Sequence, residues 1–204
     1  MSNAKEYNVR QLSSEWFELR KSRITSSKLG FLIYAKTEEE KQKTARQIVG
    51  LEQIEFTEEQ KDNMKIGTEC EKFVREYFEQ TRGIKIRETG IFISDKYSFL
   101  GGSPDGMLEN GDIIEIKISN NDVPRYFFSN FFEISPSYYL QMQMNCYLSG
   151  AKRCHFLFYS RKSSKLYTRT VPFNSDFFEE KILYPCIDFY ENYLIPLIKN
   201  EQSC

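Results

Sequence analysis

Residues 101–119, GGSPDGMLENGDIIEIKIS, most constrain the fold of this chain because they predict a β-hairpin. Asn110-Gly111 is a dipeptide that tight turns with positive φ favour. Side chains alternate between the two faces of a strand, so Glu115 and Lys117 share one face of the strand that follows. Burying two charges in a sheet is costly unless they are paired or bind an ion. The alternative is an ordinary Glu–Lys pair on a solvent-facing sheet.

A third charged residue, Asp105, lies ten residues before Glu115, and the hairpin can bring it to the same end of the sheet. Two carboxylates and the backbone carbonyl of Ile116 are oxygen ligands of the kind that Mg²⁺ or Mn²⁺ prefers. Lys117 can orient or deprotonate a water, or stabilise charge developing on a phosphate. The pattern Asp-x₉-Glu-x-Lys is the core motif of PD-(D/E)xK nucleases, although it also occurs by chance in many chains.

The length and composition predict one soluble globular domain over residues 1–204. The 17 Phe and 13 Tyr in 204 residues argue against disorder. No apolar run is long enough to span a membrane, and the polar N-terminus lacks the apolar core of a signal peptide. We therefore expect an intracellular protein without a membrane partner.

The cysteines and the single histidine exclude several kinds of site. The five cysteines are widely spaced and form no Cys-x-x-Cys pair, which predicts neither a zinc ribbon nor a disulfide framework. With His155 as the lone histidine, a histidine-based metal site or triad would need residues from a partner.

The periodicity predicts helices that alternate with groups of short strands. Helices are expected at Ser13–Lys21, from Thr25 onward, and near 38–49, 58–81, 136–149 and 176–198, the last one bent at Pro185. Strands are expected at Ile84–Glu88, Gly90–Ile93, Ser98–Gly101, Gly106–Leu108, Asp112–Ser119, Arg153–Ser160 and Lys165–Pro172. This order indicates a mixed α/β (α+β) fold with a restriction-endonuclease-like core, in which helices flank a central mixed β-sheet.

The charge is unevenly distributed although the net charge is only −1. Residues 134–175 contain no Asp or Glu and carry a local charge of +6, from Lys152, Arg153, Arg161, Lys162, Lys165 and Arg169. A solvated basic face is one interpretation. Beside a phosphate-processing site, the same residues would serve as a track for DNA, with Lys152, Arg153, Arg161 and Lys162 as the candidate contacts.

Five blocks of sequence extend the similarity well beyond the core motif. Over about residues 10–195 the chain resembles the lambda exonuclease / YqaJ-like viral recombinase branch of the PD-(D/E)xK nuclease superfamily. The blocks occur in the order of that family: Trp16-x-x-Leu-Arg20-x-x-x-Ile-Thr-x-Ser27, Gly67-x-x-x-Glu71, Ser103-Pro-Asp105-Gly, Glu115-Ile-Lys117 and Tyr138-x-x-Gln141-x-Gln143.

The resemblance implies a metal site. Asp105 and Glu115 would be metal ligands with the carbonyl of Ile116, and Lys117 would activate the water. Asp95 would supply another metal-site carboxylate, unless it is a plain turn residue. Glu71 would join the site directly or through water, unless it is an exposed helix residue. Gln141, rather than Gln143, would contact the water or the scissile phosphate, and two Mg²⁺ or Mn²⁺ ions are expected.

The resemblance also implies a pocket for a 5′-terminal phosphate, formed by Arg20, Ser27 and Ser103. A guanidinium offers a bidentate fork to a phosphate, and hydroxyl groups can fill the remaining acceptor sites. The alternatives are that Arg20 is an exposed arginine at a helix end and that Ser27 only begins a helix.

The expected function is a Mg²⁺-dependent 5′→3′ exonuclease that acts on double-stranded DNA ends and leaves 3′ overhangs for recombination or DNA processing. By resemblance, the chain would assemble as a ring trimer and work with a single-strand annealing protein, in the cytoplasm or nucleus of a host cell if it is viral. The alternatives are a structure-specific or restriction-type endonuclease of the same fold, and a non-catalytic DNA-binding module that uses the basic residues.

Overall fold

The computed structural model describes residues 4–120 and 134–201. The helices are α1 (Ser14–Arg20), α2 (Leu29–Ile33), α3 (Glu38–Val49), α4 (Glu58–Arg82), α5 (Pro136–Ser149), α6 (Ser175–Phe178), α7 (Tyr184–Phe189) and α8 (Ile195–Glu201). A 3₁₀ turn, Ser26–Lys28, precedes α2 where the sequence predicts a helix from Thr25. The predicted helices are therefore confirmed, with small shifts at their ends.

The strands form two mixed sheets. They are β1 (Ala4–Tyr7), β2 (Ile24–Thr25), β3 (Ile86–Arg87), β4 (Ile91–Ser94), β5 (Leu100–Gly102), β6 (Gly106–Leu108), β7 (Ile113–Ser119), β8 (Arg153–Ser160) and β9 (Lys165–Pro172). One sheet has the order β1-β4-β5-β2 and the other β3-β6-β7-β8-β9. The pairs β2–β5 and β7–β8 are parallel and the others are antiparallel. The mixed α/β fold is confirmed, with its strands divided between two sheets.

The chain passes from one sheet to the other at Ser103-Pro104-Asp105, between β5 and β6. Pro104 has no N–H to donate to a neighbouring strand, so strand pairing can stop at this three-residue segment. The crossing places Ser103 and Asp105 at the junction of the two sheets.

Capping boxes begin two of the helices, α3 and α4. Thr37 and Glu40 cap α3, and Thr57 and Gln60 cap α4, each pair through reciprocal side-chain and backbone hydrogen bonds. These contacts satisfy backbone N–H groups that have no partner inside the helix. The S/T-x-x-E/Q patterns predict both helix starts correctly.

The C-terminal helical segment is interrupted twice by π-helical turns. Glu179–Leu183 lies just before Pro185, where the sequence predicts a bend, and Tyr190–Leu194 lies just before Pro196. Proline lacks the N–H for an i→i−4 bond, so the wider turns accommodate it. No helix in residues 4–120 and 134–201 combines the length and apolar character that crossing a membrane requires.

The sequence does not predict β1. Ala4–Tyr7 pairs antiparallel with β4, from Ala4 opposite Ser94 to Tyr7 opposite Ile91. Three of its four residues, Ala4, Lys5 and Glu6, are of types with weak strand propensity. The partner strand, far along the chain, decides its conformation.

Strand β7 is covered on both faces. On one face, Ile114 and Ile116 pack in a buried cluster with Val74 and Phe78 of α4. On the other face, Ile113 packs in a cluster with Met142 of α5. Because Glu115 and Lys117 share the face of Ile113, their side chains project toward α5.

The four described cysteines are free thiols. Cys146, Cys154 and Cys186 are buried, and Cys70 is partly buried. Cys204 lies outside the described residues.

Candidate active site

The β6–β7 hairpin places Asp105 against the middle of β7. The N–H of Leu108 donates to the carbonyl of Asp112 (2.8 Å) and closes a three-residue loop, 109–111. Within the loop, the N–H of Gly111 donates to the carbonyl of Leu108 (3.0 Å), and Gly111 has φ = +84°. A turn followed by a left-handed residue is a common three-residue hairpin. The N–H of Asp105 donates to the carbonyl of Ile114 (3.1 Å), and the N–H of Ile116 donates to Asp105 Oδ2 (2.6 Å). The hairpin thus brings Asp105 beside Glu115, as the sequence predicts.

Two residues hold Glu115: Lys117 of its own strand and Asn145 of α5. Its side chain is 1% exposed, and Nζ of Lys117 lies 2.6 Å from Oε1. Nδ2 of Asn145 on α5 donates to Oε2 (3.2 Å). The ammonium of Lys117 also lies 5.1 Å from the ring centroid of Tyr138, a cation–π distance. The two charges are therefore paired inside the fold, and the alternative of a solvent-facing pair does not apply.

Glu71 approaches the same cluster from α4. Its Oε1 accepts from Nη2 of Arg75, one helical turn further on (2.8 Å). Arg75 is buried, and its other terminal nitrogen contacts Glu88. Glu71 is thus partly buried and paired, so it is not the exposed helix glutamate of the alternative interpretation.

The carboxyl groups of this cluster hold their protons more strongly than usual. Burial, with the charges of Asp105 and Glu71, raises the pKa of Glu115 to about 8, against the effect of Lys117. Burial and the Asp105 charge raise the pKa of Glu71 to about 7, against the effect of Arg75. Burial also raises the pKa of Asp105. Burial lowers the pKa of Lys117, but the neighbouring carboxylates outweigh it and the net shift is upward.

These side chains line one cleft of about 400 Å³. The predicted site residues in its lining are Arg20, Ser27, Glu71, Ser103, Asp105, Glu115, Ile116, Lys117 and Gln141. A larger cleft of about 800 Å³, bordered by α2 and α3, contains none of them. The structure therefore gathers residues from β7, from the junction between the two sheets and from α1, α4 and α5 at one site.

The donor groups in the cleft fit a hard divalent cation. Asp105, Glu115 and Ile116 offer oxygen ligands. Burial raises the pKa of both carboxyl groups, and a bound cation would offset the cost of their negative charges inside the fold. Within residues 4–120 and 134–201, no three Asp, Glu, His or Cys side chains cluster closely enough to hold an ion by themselves. Two carboxylates, the Ile116 carbonyl and water would make up the ligand set.

The opposite part of the cleft presents the guanidinium of Arg20. Nη2 of Arg20 donates to Ser27 Oγ (2.8 Å) and Thr25 Oγ1 (3.2 Å). The guanidinium stacks 4.1 Å from the ring of Trp16, whose Nε1 donates to Ser103 Oγ (2.9 Å). Burial lowers the pKa of Arg20 to about 10, and no carboxylate of the described residues forms an ion pair with it. The predicted trio of Arg20, Ser27 and Ser103 is thus assembled around a desolvated cation.

The two glutamines of α5 have different environments. Gln141 lines the cleft. Gln143 is fully buried, where its Nε2 donates to the Pro172 carbonyl (3.0 Å) and its Oε1 accepts from the Asn174 N–H (2.8 Å). Side chains two positions apart on a helix point in different directions, which is why Gln141 reaches the cleft and Gln143 does not.

The structure does not bring Asp95, which the resemblance implies at the metal site, to the cleft. Asp95 is exposed just after β4 and is not part of the cleft lining. β4 pairs antiparallel with β5, with Phe92 opposite Gly102 and Ile93 opposite Gly101. Asp95 therefore lies at the opposite end of this strand pair from Ser103. The spacing of ten residues gave no information about this pairing.

The basic residues do not form one continuous track. Lys152 and Arg153 lie at the start of β8, where Arg153 binds the buried Asp112 through Nε and Nη2 (3.0 and 2.9 Å). Arg161 and Lys162 follow the other end of β8, about 25 Å away at the rise of a strand.

Only the Arg161 end approaches the cleft. Nη1 of Arg161 donates to Asn120 Oδ1 (2.6 Å), and Nδ2 of Asn120 donates to Asn63 Oδ1 (3.0 Å). Asn63 is part of the cleft lining. The predicted DNA contacts thus separate into a near group, Arg161 and Lys162, and a remote group, Lys152 and Arg153.

Several functional candidates are not predicted from the sequence. Tyr138 appears in the family blocks only as a spacing marker, and Arg75 is visible only as a residue four positions after Glu71. Asn145, likewise, lies four positions after Gln141 and so on the same side of α5. The i, i+4 spacing is the one signal that could have found Arg75 and Asn145.

Comparisons with known proteins agree with this architecture. A crystal structure of an alkaline exonuclease (LHK-Exo) from Laribacter hongkongensis superposes with a TM-score of 0.77 at 22% identity, over 94% of this chain and 97% of that one. The same exonuclease in complex with dAMP gives 0.78 at 21% identity, with the same coverage. A phage-related exonuclease from Haemophilus somnus gives 0.68 at 15% identity, over 88% and 96%. At such identities the likeness shows the fold.

Curated proteins give no significant match to the sequence. A family model does match, that of the YqaJ-like viral recombinase domain, over residues 15–152. This range contains Arg20 of α1, the β6–β7 hairpin and α5, and hence every predicted site residue that lines the cleft. The chain belongs to the YqaJ-like viral recombinase domain family.

Proposed function

We propose that this protein is a divalent-metal-dependent DNA exonuclease that degrades double-stranded DNA from its 5′ ends and leaves 3′ overhangs. One observation carries the proposal: an acidic cluster with Lys117 and a desolvated arginine line the same cleft of about 400 Å³. Such a cleft offers a hydrolytic centre and a subsite for a terminal phosphate. The solved exonucleases of the same fold, one of them in complex with dAMP, support a nucleic-acid substrate.

Asp105 and Glu115 would hold Mg²⁺ or Mn²⁺ with the Ile116 carbonyl, and the ion would supply positive charge where negative charge develops on the phosphate. The cleft offers ligands for one ion most directly. A second ion, which the resemblance implies, would depend on Glu71 because Asp95 lies elsewhere. Removing the ion is expected to abolish cleavage.

Lys117 would act as a hydrogen-bond donor more than as a base. Its raised pKa keeps the ammonium protonated, and it lies within the cleft beside Glu115. From there it can orient the attacking water and stabilise the charge on the phosphate oxygens. Gln141, on the same wall, would orient the water or the scissile phosphate.

The reaction would be an in-line displacement at phosphorus. A water oxygen bonds to phosphorus, the bond from phosphorus to O3′ breaks, and O3′ takes a proton. The released nucleotide keeps its own 5′-phosphate, and the shortened strand now ends in a new 5′-phosphate. That terminus can occupy the subsite of Arg20, Ser27 and Ser103 in the next cycle, which favours processive digestion.

The DNA duplex would extend from the cleft past Arg161 and Lys162. Lys152 and Arg153 lie at the start of β8, about 25 Å from Arg161 and Lys162, so a duplex would have to extend over more than half a helical turn to contact both groups. The ring trimer and the single-strand annealing partner implied by the family resemblance are part of the same proposal. Both would allow the 3′ strand to be used as it is exposed.

Digestion of end-labelled linear duplexes tests the function. Duplexes with and without a 5′-phosphate are incubated with Mg²⁺, and parallel samples contain EDTA. We expect mononucleotides released from 5′-phosphorylated ends in Mg²⁺ only. Nicking of a closed circle would instead indicate an endonuclease, and DNA binding without cleavage would indicate a non-catalytic module.

A further inference from the structure

Asn145 carries a buried amide of which only the NH₂ group has a hydrogen-bond partner among the described residues. It lies on α5 with no exposed surface, and its Nδ2 donates to Oε2 of Glu115 (3.2 Å). Its Oδ1 is buried without a hydrogen-bond partner among the described residues. The NH₂ group thus faces Glu115 and the oxygen faces Gly102. An ionised, metal-binding carboxylate requires this orientation because it can only accept hydrogen bonds.

This arrangement is a poor solution for stability alone. A buried acceptor without a partner loses its hydration and gains no bond in return. A leucine has nearly the same branched shape and would fill the position without that cost. The presence of an asparagine is therefore better explained by what its N–H does to Glu115.

The backbone opposite Asn145 is shaped to admit it. A Cβ atom on Gly102 of β5 would lie 2.4 Å from Asn145 Oδ1 and 2.9 Å from Leu148 Cδ1. Glycine at this position lets α5 approach the sheet closely enough for the amide to reach β7. The space left by the missing side chain of Gly102 is thus occupied by the amide oxygen of Asn145.

We propose that Asn145 is a positioning residue that fixes the orientation of the Glu115 carboxylate for cation binding. By holding Oε2, it leaves Oε1 directed toward Lys117 and the cleft, where an ion would bind. Asn145 is absent from the cleft lining, so it would act on the ion through Glu115 and would not touch DNA. This inference rests on the proposed role of Glu115 as a metal ligand.

The matched comparison is with Gln143, another fully buried amide of α5. Its hydrogen bonds go to Pro172 and Asn174, on the side away from the cleft. Asn145→Leu and Gln143→Leu each remove one buried amide from the same helix. Only the first removes a donor to Glu115.

The test is calorimetric titration of the purified full chain with Mn²⁺ in the absence of DNA. We expect Asn145→Leu to weaken Mn²⁺ binding by about 10-fold to 100-fold, as outer-shell substitutions at metal sites do. Gln143→Leu should lower the melting temperature and leave the Mn²⁺ affinity unchanged. Gly102→Ala, which pushes the amide away from Glu115, should weaken Mn²⁺ binding in the same direction as Asn145→Leu.

Steady-state kinetics on a 5′-phosphorylated duplex give a second measurement. Asn145→Leu should lower kcat at saturating Mn²⁺ and leave the KM for DNA unchanged, since the side chain does not reach the substrate. A loss of stability alone would not lower kcat selectively in this way at saturating Mn²⁺.

Two results would overturn the inference. One is an Asn145→Leu protein that binds Mn²⁺ as tightly as the wild type, and the other is an equal loss of affinity in Asn145→Leu and Gln143→Leu. If Asn145→Leu does not fold, Asn145→Ser and Gly102→Ala carry the same comparison. A wild-type protein that binds no Mn²⁺ would refute the proposed function itself, and is thus distinguishable from these outcomes.

Discussion

The ammonium of Lys117 lies 2.6 Å from Oε1 of Glu115, and both side chains sit on the face of β7 that α5 covers. Separating a buried pair by deleting one partner leaves an uncompensated charge. The contact therefore links the stability of the fold to the chemistry of the cleft. Substitutions of the two partners should have opposite effects on cation binding.

Lys117→Met should reduce cleavage strongly and leave cation binding intact or tighter. The ammonium no longer stabilises charge on the phosphate, for which we expect a loss of about 10²-fold to 10⁴-fold in kcat. At the same time, the ammonium of Lys117 no longer competes with a metal ion for the carboxylate of Glu115. Nuclease assays and Mn²⁺ titration measure the two effects, with the exposed Lys85→Met as control. Unchanged cleavage by Lys117→Met would refute the catalytic assignment.

Arg20→Gln should remove the preference for 5′-phosphorylated ends. A charge-assisted contact with a phosphate is worth about 10-fold to 100-fold in binding, and this cation has no acidic partner among the described residues to replace. The measurement is the ratio of digestion rates for phosphorylated and hydroxyl ends. Arg23→Gln is the matched control, because Arg23 binds the backbone carbonyls of Ser98 and Leu19. An equal loss of preference in both variants would contradict the phosphate subsite.

Stabilisation by Mn²⁺ should increase with pH. The pKa values of Glu115 and Glu71, about 8 and about 7, lie above their ordinary value of 4.5, so the metal-free folded state favours the protonated forms. The stability that these groups contribute is fully present below pH 4.5 and is lost as the pH rises through 7 to 8. A cation binds the deprotonated carboxylates and offsets this loss.

Thermal unfolding with and without Mn²⁺ measures the effect, at about pH 6 and about pH 8.5 on either side of the titration. We expect the larger increase in Tm at the higher pH. An increase of equal size at both pH values would show that Mn²⁺ does not compete with these protons.

Arg75→Gln should destabilise the fold by about 2 kcal/mol, because it leaves the partly buried Glu71 without its cation. Glu88→Gln, at the other end of the same guanidinium, should cost less than about 1 kcal/mol since Glu88 is 74% exposed. Urea unfolding measures both free energies. Equal costs in the two variants would show that the Arg75–Glu71 contact contributes little.

Local sequence patterns predicted the elements that carry the site. The capping boxes at Thr37 and Thr57 located α3 and α4, and strand alternation put Glu115 and Lys117 on one face. Each of these signals depends on residues close in sequence, whose backbone geometry fixes which side chains meet. Domain count and oligomeric state depend on no such local signal and stay predictions.

The sequence by itself determined the hairpin, and with it the approach of Asp105 to Glu115 and Lys117. Only the tertiary structure decided which other residues join them. It excluded Asp95, because β4 and β5 run antiparallel, and it added Arg75 and Asn145 from helices packed on opposite faces of β7. A period of two or 3.6 residues specifies a face of an element, whereas the neighbour of that face is set by packing between segments far apart in the chain.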